Sequence, residues 1–214
     1  MIFRDRRAAG QQLATRLAFL KDELRLIVLG IPRGGVVVAA EVARALKAPF
    51  DIFLAHKIGA PFNPELAVGA VTSEGALWFD EEFIRELRLS EKDLARAVEQ
   101  QREEMARRLI MFRRARPPLD VKNKTVVLID DGVATGATVL ASLRALRQHQ
   151  PARLILAIPV GPRETLQHLA SECDQLIVLE TPEPFWGVGQ FYARFDQTSD
   201  AEVVALLAES TVTR

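Results

Sequence analysis

Short, almost unbroken apolar runs recur along the chain, and between most of them the apolar positions fall three and four residues apart. Residues 24–31 (LRLIVLGI) predict a strand buried on both faces. Residues 35–46 (GVVVAAEVARAL) carry the small and apolar spacing of a packed helix. Residues 49–58 (PFDIFLAHKI) predict a second strand and residues 125–131 (TVVLIDD) a third, with a helix following at about 136–149. The alternation continues through 153–160 (RLILAIPV), 163–172 (RETLQHLASE) and 175–180 (QLIVLE). Near-continuous apolar strands alternating with helices fit a parallel sheet covered on both sides. The expected fold class is therefore α/β, a doubly wound, mainly parallel sheet with flanking helices. No fixed-period repeat or low-complexity linker divides the chain, so residues 1–214 read as a single domain.

Residues 59–120 break this rhythm and read as an insertion. The Gly-, Pro- and Asn-rich stretch 59–65 predicts a mobile loop, and 90–115 (SEKDLARAVEQQREEMARRLIMFRRA) a long charged helix. Ser90 with Asp93 gives that helix a start like a capping box. Leu94, Val98, Met105, Leu109 and Phe112 form a narrow apolar stripe along it. Such a stripe suits packing on the core; a homodimer contact is the other use open to it. Residues 115–124 (ARPPLDVKNK) then read as the loop returning to the sheet.

Composition narrows the function classes. Hydrophobic residues make up 49% of the 214, enough for a sizeable core. Lys+Arg and Asp+Glu number 28 each, and a net charge of zero speaks against nucleic acid as a partner. The local cluster Arg107, Arg108, Arg113, Arg114 and Arg116 reads as a solvated helix face. The single Cys173 allows no intramolecular disulfide. The opening MIFRDRRAAG leads into no apolar segment of a secretory leader, and no apolar run reaches about 18 residues. The expectation is a soluble, cytoplasmic protein with no membrane partner.

The chemistry concentrates in residues 126–138 (VVLIDDGVATGAT). An apolar strand delivers Asp130 and Asp131 to its carboxyl end, the side on which open α/β sheets bind ligands. The helix that opens near Gly136 offers unpaired N–H groups and a positive dipole end. Ala134, Gly136 and Ala137 are small enough to let a phosphate approach the backbone, and Thr135 and Thr138 add hydroxyl donors. The two carboxylates suit hydroxyls or a metal. A phosphate at one end and a diol at the other describe a ribose 5-phosphate. No G-x-x-x-x-G-K-[ST] occurs, and no G-x-G-x-x-G follows the first strand, so a P-loop and a dinucleotide fingerprint are both excluded. In residues 30–35 (GIPRGG), two glycines before a helix allow unusual backbone geometry, and Arg33 offers a planar fork of donors for phosphate oxygens.

The stretch 126–138 resembles the phosphoribosyl pyrophosphate (PRPP) signature of type I phosphoribosyltransferases: apolar strand, acidic pair, a few variable residues, then T-G-x-T. The resemblance extends from residue 24 to about 195. It implies that Ala134, Thr135, Gly136, Ala137 and Thr138 bind the 5′-phosphate, and that Asp130 and Asp131 hold the ribose hydroxyls directly or through Mg²⁺. Pro32, Arg33, Gly34 and Gly35 match the family's pyrophosphate loop, which implies a strained or cis Arg33–Gly34 peptide. Lys57, at the end of the second strand, would meet the pyrophosphate. His56 beside it reads as structural.

The same resemblance makes residues after the second strand a catalytic lid and residues 181–197 a hood. Hypoxanthine-guanine enzymes carry an acid where this chain has Ala134; adenine-type enzymes have Ala there and use a lid Glu, which points to Glu65. Residues 180–195 (ETPEPFWGVGQFYARF) resemble the hood in which an aromatic stacks on a purine, so Phe185 or Trp186 would supply that face. The acid that contacts the purine in that branch has no counterpart, since Ala193 lies near its position. The implied activity is transfer of a 5-phosphoribosyl group from PRPP to a nitrogenous base. A non-catalytic PRPP- or nucleotide-sensing protein on the same fold is the alternative.

Overall fold

A computed structural model of the chain describes residues 3–72, 77–113 and 117–209. Five parallel strands form its central sheet: β1 Leu26–Gly30, β2 Phe50–Ile52, β6 Thr125–Ile129, β7 Arg153–Val160 and β8 Gln175–Glu180. They lie side by side in the order β2-β1-β6-β7-β8. Every residue of β1 and β6 is buried, as their unbroken apolar runs require. Alternate side chains feed two cores. Leu26, Val28, Val127, Ile129, Ile155 and Ala157 face one side, packing with helices α2 (Gly34–Leu46) and α7 (Asp200–Glu209). Ile27, Leu29, Val126, Leu128, Leu154 and Leu156 face the other, with α5 (Ala137–Gln148) and α6 (Arg163–Ala170). The predicted spans for β7 and β8 match residue for residue.

The run 49–58 is not one strand. The chain leaves the central sheet after Ile52 and enters a second, antiparallel sheet built from β3 (Ala55–Ala60), β4 (Asn63–Thr72) and β5 (Leu77–Phe79), paired in that order. Burial alternates through the junction all the same: Phe50, Ile52 and Leu54 join the first core, Phe53 and Ala55 the second. A period-2 pattern continued across a change of sheet is why the sequence reads as a single strand. The stretch 59–65 is correspondingly a tight hairpin, with a turn at Pro61–Phe62 between β3 and β4, and not a long loop.

After β5 come α3 (Glu81–Glu86) and the long α4 (Glu91–Arg113). Val98, Met105 and Phe112 of the α4 stripe are buried in the first core, with Leu94 packed against it, so the stripe faces inward. Ser90 accepts from the Asp93 N–H through Oγ, and the Asp93 carboxylate accepts from Ser90 in return, the reciprocal arrangement of a capping box. The side chain of Leu109 and all of Arg114 and Arg116 lie outside the described residues. Buried Asp51 of β2 fastens the return of the insertion, accepting from the Leu119 N–H at 3.2 Å.

A helix that the hydrophobic pattern does not predict, α1 (Arg6–Arg16), precedes β1. Its buried face is Ala9, Gly10, Leu13 and Ala14, and Gly10 lets it approach α2 until an added Cβ would lie 2.7 Å from the Val38 carbonyl. No helix of the described residues is long and apolar enough to cross a membrane.

Asp174, before β8, accepts from the Leu154 N–H at 2.6 Å and from both arms of the Arg147 fork at 3.0 and 2.8 Å. The Arg147 hydrogen bonds hold its carboxyl below the ordinary 3.8, with the Leu154 N–H adding to the effect. A depressed folded-state pKa contributes stability above the unfolded value that is lost as pH falls through the folded one. Asp174→Asn is therefore expected to cost about 1 kcal/mol in urea unfolding at pH 7, discounted for partial exposure. That deficit should shrink as the pH falls below 3.8. A deficit constant down to acid pH would contradict this account.

Candidate active site

The carboxyl end of β6 places Asp130 and Asp131 at the centre of the sheet, half-buried, beside the turn from β1 into α2. The two loops touch. A Cβ on Gly34 would run into the Asp131 carboxylate, and one on Gly35 would sit 2.7 Å from both the Asp130 Cα and the Ile129 carbonyl. Neither glycine has a left-handed φ; Gly136 is the one glycine among the described residues that does. The expectation that Gly34 and Gly35 permit an unusual backbone is thus corrected: they are needed for room. The cis peptide falls at Pro32–Arg33, one bond before the Arg33–Gly34 position expected.

The acidic pair has partners that no local pattern announces. Arg6, on the first turn of α1, donates from Nε to Asp131 Oδ2 at 2.6 Å, with both side chains largely enclosed. Its Nη1 donates to the Asp196 carbonyl at 2.6 Å, and the guanidinium lies 3.9 Å from the centroid of the Phe195 ring. The Tyr192 hydroxyl donates to the Asp131 carbonyl at 2.5 Å. The Asp131 N–H donates to Asp130 Oδ1 at 2.8 Å. Burial pushes the Asp130 carboxyl well above its ordinary range, and the neighbouring Asp131 charge adds to that. Burial raises Asp131 as well, against the pull of Arg6. The Tyr192 phenol is raised by burial and then by Asp131, so it stays a neutral donor.

Beyond the pair, residues 132–136 turn into α5, whose first residue follows Gly136 at φ 77° with no side-chain cap. The end of β7 and the start of α6 hold this turn. The Val133 N–H donates to the Val160 carbonyl at 3.0 Å, and Thr165 Oγ1 donates to the Ala134 carbonyl at 2.9 Å. Ala134, Thr135 and Thr138 are exposed at the opening of the helix, with Ala137 half-buried. Arg33 is exposed, and its guanidinium reaches Asp200 of α7 at a loose 3.8 Å.

The segment after β8 folds back over Gly132, where an added Cβ would strike Val188. Gln190 fixes its shape by accepting from the Trp186 N–H at 2.8 Å and donating to the Pro184 carbonyl at 3.0 Å. Phe185 is half-buried against Phe191 with centroids 5.1 Å apart, whereas Trp186 is 86% exposed. Lys57 lies on β3 and Glu65 on β4; their side chains, like that of His56, are outside the described residues.

Residues 6–193 match the phosphoribosyl transferase domain family. The chain belongs to that family. Two Mycobacterium tuberculosis proteins, from strains CDC 1551 and H37Rv, carry a provisional phosphoribosyl transferase name and are each 42% identical over 206 residues. That match takes in 96% of this chain but 46% of the relative, so the chain spans about half the length of the curated relatives it matches. The crystal structure of TT1426 from Thermus thermophilus superposes with a TM-score of 0.91 at 42% identity, covering 98% of this chain and 99% of that one. In this phosphoribosyl transferase domain, Arg6, Tyr192 and Thr165 are the polar side chains at the site that sequence reasoning missed. The five-stranded parallel sheet with flanking helices is the family's α/β fold.

The fit of the two loops predicts a contrast between glycines. Gly35→Ala is expected to destabilise the fold by about 1–3 kcal/mol, because backbone atoms of β6 must give way. Gly187→Ala, where an added Cβ meets nothing within 4 Å, should change stability by less than about 0.5 kcal/mol. Urea unfolding of the two variants checks this, and equal effects would refute the packing account.

Proposed function

We propose that the chain transfers the 5-phosphoribosyl group of PRPP to a nitrogenous base and releases pyrophosphate. The observation that carries this reading is the position of Asp130 and Asp131, pressed between the glycine turn of residues 34–35 and the uncapped start of α5. The helix start offers N–H donors and a positive dipole end to the 5′-phosphate at residues 134–138. The carboxylates, upstream of that helix start, are the groups proposed to take the ribose hydroxyls of the same molecule.

In the reaction, a base nitrogen bonds to the anomeric carbon as the bond from that carbon to pyrophosphate breaks. The sugar gains oxocarbenium character, and pyrophosphate leaves with the bonding electrons. Asp130 and Asp131 orient the sugar through its hydroxyls and favour its positive charge. Pro32, Arg33, Gly34 and Gly35 form the pyrophosphate end, where Arg33 would leave its weak exposed pair with Asp200 for a diphosphate oxygen. Lys57 is the second cation proposed there. Glu65 is proposed to handle the base proton, since Ala134 has no acid to offer. Exclusion of water by the insertion of residues 59–120 keeps PRPP from hydrolysis.

The donor set at the acidic pair fits Mg²⁺. Two adjacent carboxylates are hard oxygen ligands, and both are raised by burial, a condition that a bound cation relieves. Asp130 and Asp131 would hold the ion, which when bound neutralises diphosphate charge. For the acceptor, a purine is favoured by the hood of residues 181–197: exposed Trp186 presents an aromatic face, while Phe185 supports the segment from beneath.

Calorimetry with Mg²⁺ and PRPP is expected to show binding to the wild type. Asp130→Asn and Gly136→Val should each weaken it by more than about tenfold, the value of one charged hydrogen bond or more. A wild type blind to PRPP would refute the proposal. Incubation with PRPP and a panel of bases should release pyrophosphate with at least one of them, purines first. PRPP binding without release for any base would replace the transferase reading with that of a PRPP-sensing protein.

A further inference from the structure

Arg6 occupies a place that neither the acidic signature nor the hood explains. It comes from the first turn of α1, ahead of every signature stretch, yet its guanidinium is enclosed at the centre of the site. One face lies on the Phe195 ring. Nε takes one oxygen of Asp131, and Nη1 takes the Asp196 carbonyl on the far side. Gly34 leaves the space this requires, since a Cβ there would lie 2.8 Å from Arg6 Nε. The helix is anchored at that end: the Asp5 carboxylate caps α1 by accepting from the Ala8 N–H at 2.9 Å, and Arg194 donates to Asp5 at 2.9 Å. The N–H of Ala193 donates to the Phe3 carbonyl at 2.7 Å, so the residues just before α1 and the C-terminal segment are stitched side by side.

A carboxylate has two oxygens, and a fork bound to one of them determines where the other points. We propose that Arg6 is a positioning residue for PRPP. It fixes Asp131 so that the remaining oxygen faces the ribose, and it ties residues 195–196 of the C-terminal segment to that same carboxylate. The ribose end and the acceptor end of the site are thereby held by one side chain. This inference rests on the PRPP reading of the acidic pair, and it adds α1 to the machinery of that site.

The consequence separates sugar recognition from phosphate recognition. The turn into residues 134–138 is held by Thr165, at the Ala134 carbonyl, and by Val160, at the Val133 N–H, whereas Arg6 donates to Asp131 and Asp196. Loss of Arg6 therefore acts on the ribose hydroxyls and leaves the phosphate cup intact. The test is calorimetry without metal, using inorganic phosphate and ribose 5-phosphate as separate probes, on the wild type, Arg6→Met and Arg6→Lys. Arg6→Met keeps a long apolar stem over Phe195 but loses the donors.

The expected result is that Arg6→Met weakens ribose 5-phosphate about tenfold, as for loss of a charged hydrogen bond, with phosphate affinity unchanged. Arg6→Lys, which keeps one charged donor, should recover part of the loss. Equal weakening of both probes would mean that Arg6 only supports the fold, and no weakening of either would mean that it does not position Asp131. Each of these outcomes overturns the inference and leaves the PRPP reading standing. A wild type that binds phosphate but discriminates nothing in favour of ribose 5-phosphate would overturn both.

Discussion

Asp130 and Asp131 set two ionisable carboxyls side by side at the end of a fully buried strand, and little of their surroundings is water. Two such carboxylates cannot both ionise there without help, because each loses hydration and each repels the other. The neighbourhood is arranged around that difficulty. Arg6 meets one carboxylate, a backbone N–H meets the other, and the phenol of Tyr192 takes the intervening carbonyl. Gly34 and Gly35 bring a second loop so near that any side chain on them would collide with the pair. A structure selected for stability alone would place two apolar residues here; the acidic pair is retained at a cost, which is the usual mark of a site.

Three distant parts of the chain answer this one local demand. The start of α1, the β1–α2 turn and the segment after β8 reach the strand end by separate routes, and the first and last of these are also joined to each other through Phe3 and Tyr192. The turn of residues 132–136, by contrast, is held from its other flank, by β7 and α6. The acidic pair and the turn before α5 thus have different hydrogen-bond partners, although Val160 also packs with Ala9 of α1 and with Phe191 and Tyr192. One flank depends on charge, the other on packing and neutral hydrogen bonds.

Much of the frame is legible in the order of residues alone. The strands β6, β7 and β8 and helix α5 are readable because both faces of a central parallel strand are buried, which leaves an unbroken apolar run with clear edges. The acidic signature is readable because its residues are adjacent in sequence. The sheet switch near Phe53 is not, since burial keeps its period of two straight through it. The hairpin at 59–65 is hidden by Gly, Pro and Asn, which signal a turn but say nothing about how far the strands on either side extend. Helix α1 escapes the hydrophobic pattern because its buried face is mostly alanine and glycine, suited to close approach to α2. Arg6 and Tyr192 escape for a simpler reason. Arg6 lies 125 residues from Asp131 and Tyr192 lies 61, and no local pattern carries contacts over such separations.

The order of strands also bears on how the chain is made. Its central pairing, β1 with β6, joins segments separated by the whole insertion, whereas β1–β2 and β6–β7–β8 are each assembled from near neighbours. A growing chain leaving the ribosome exposes β1 long before β6 exists to cover it. Until then β1 is an apolar strand with a bare hydrogen-bonding edge, the form most prone to pair with the wrong partner. Closing the gap is a long-range step of the kind that slows folding. The antiparallel sheet and α4, which emerge in the interval and bury their apolar residues against the same core as β1, are the local structure available to cover one apolar face of that strand while synthesis continues.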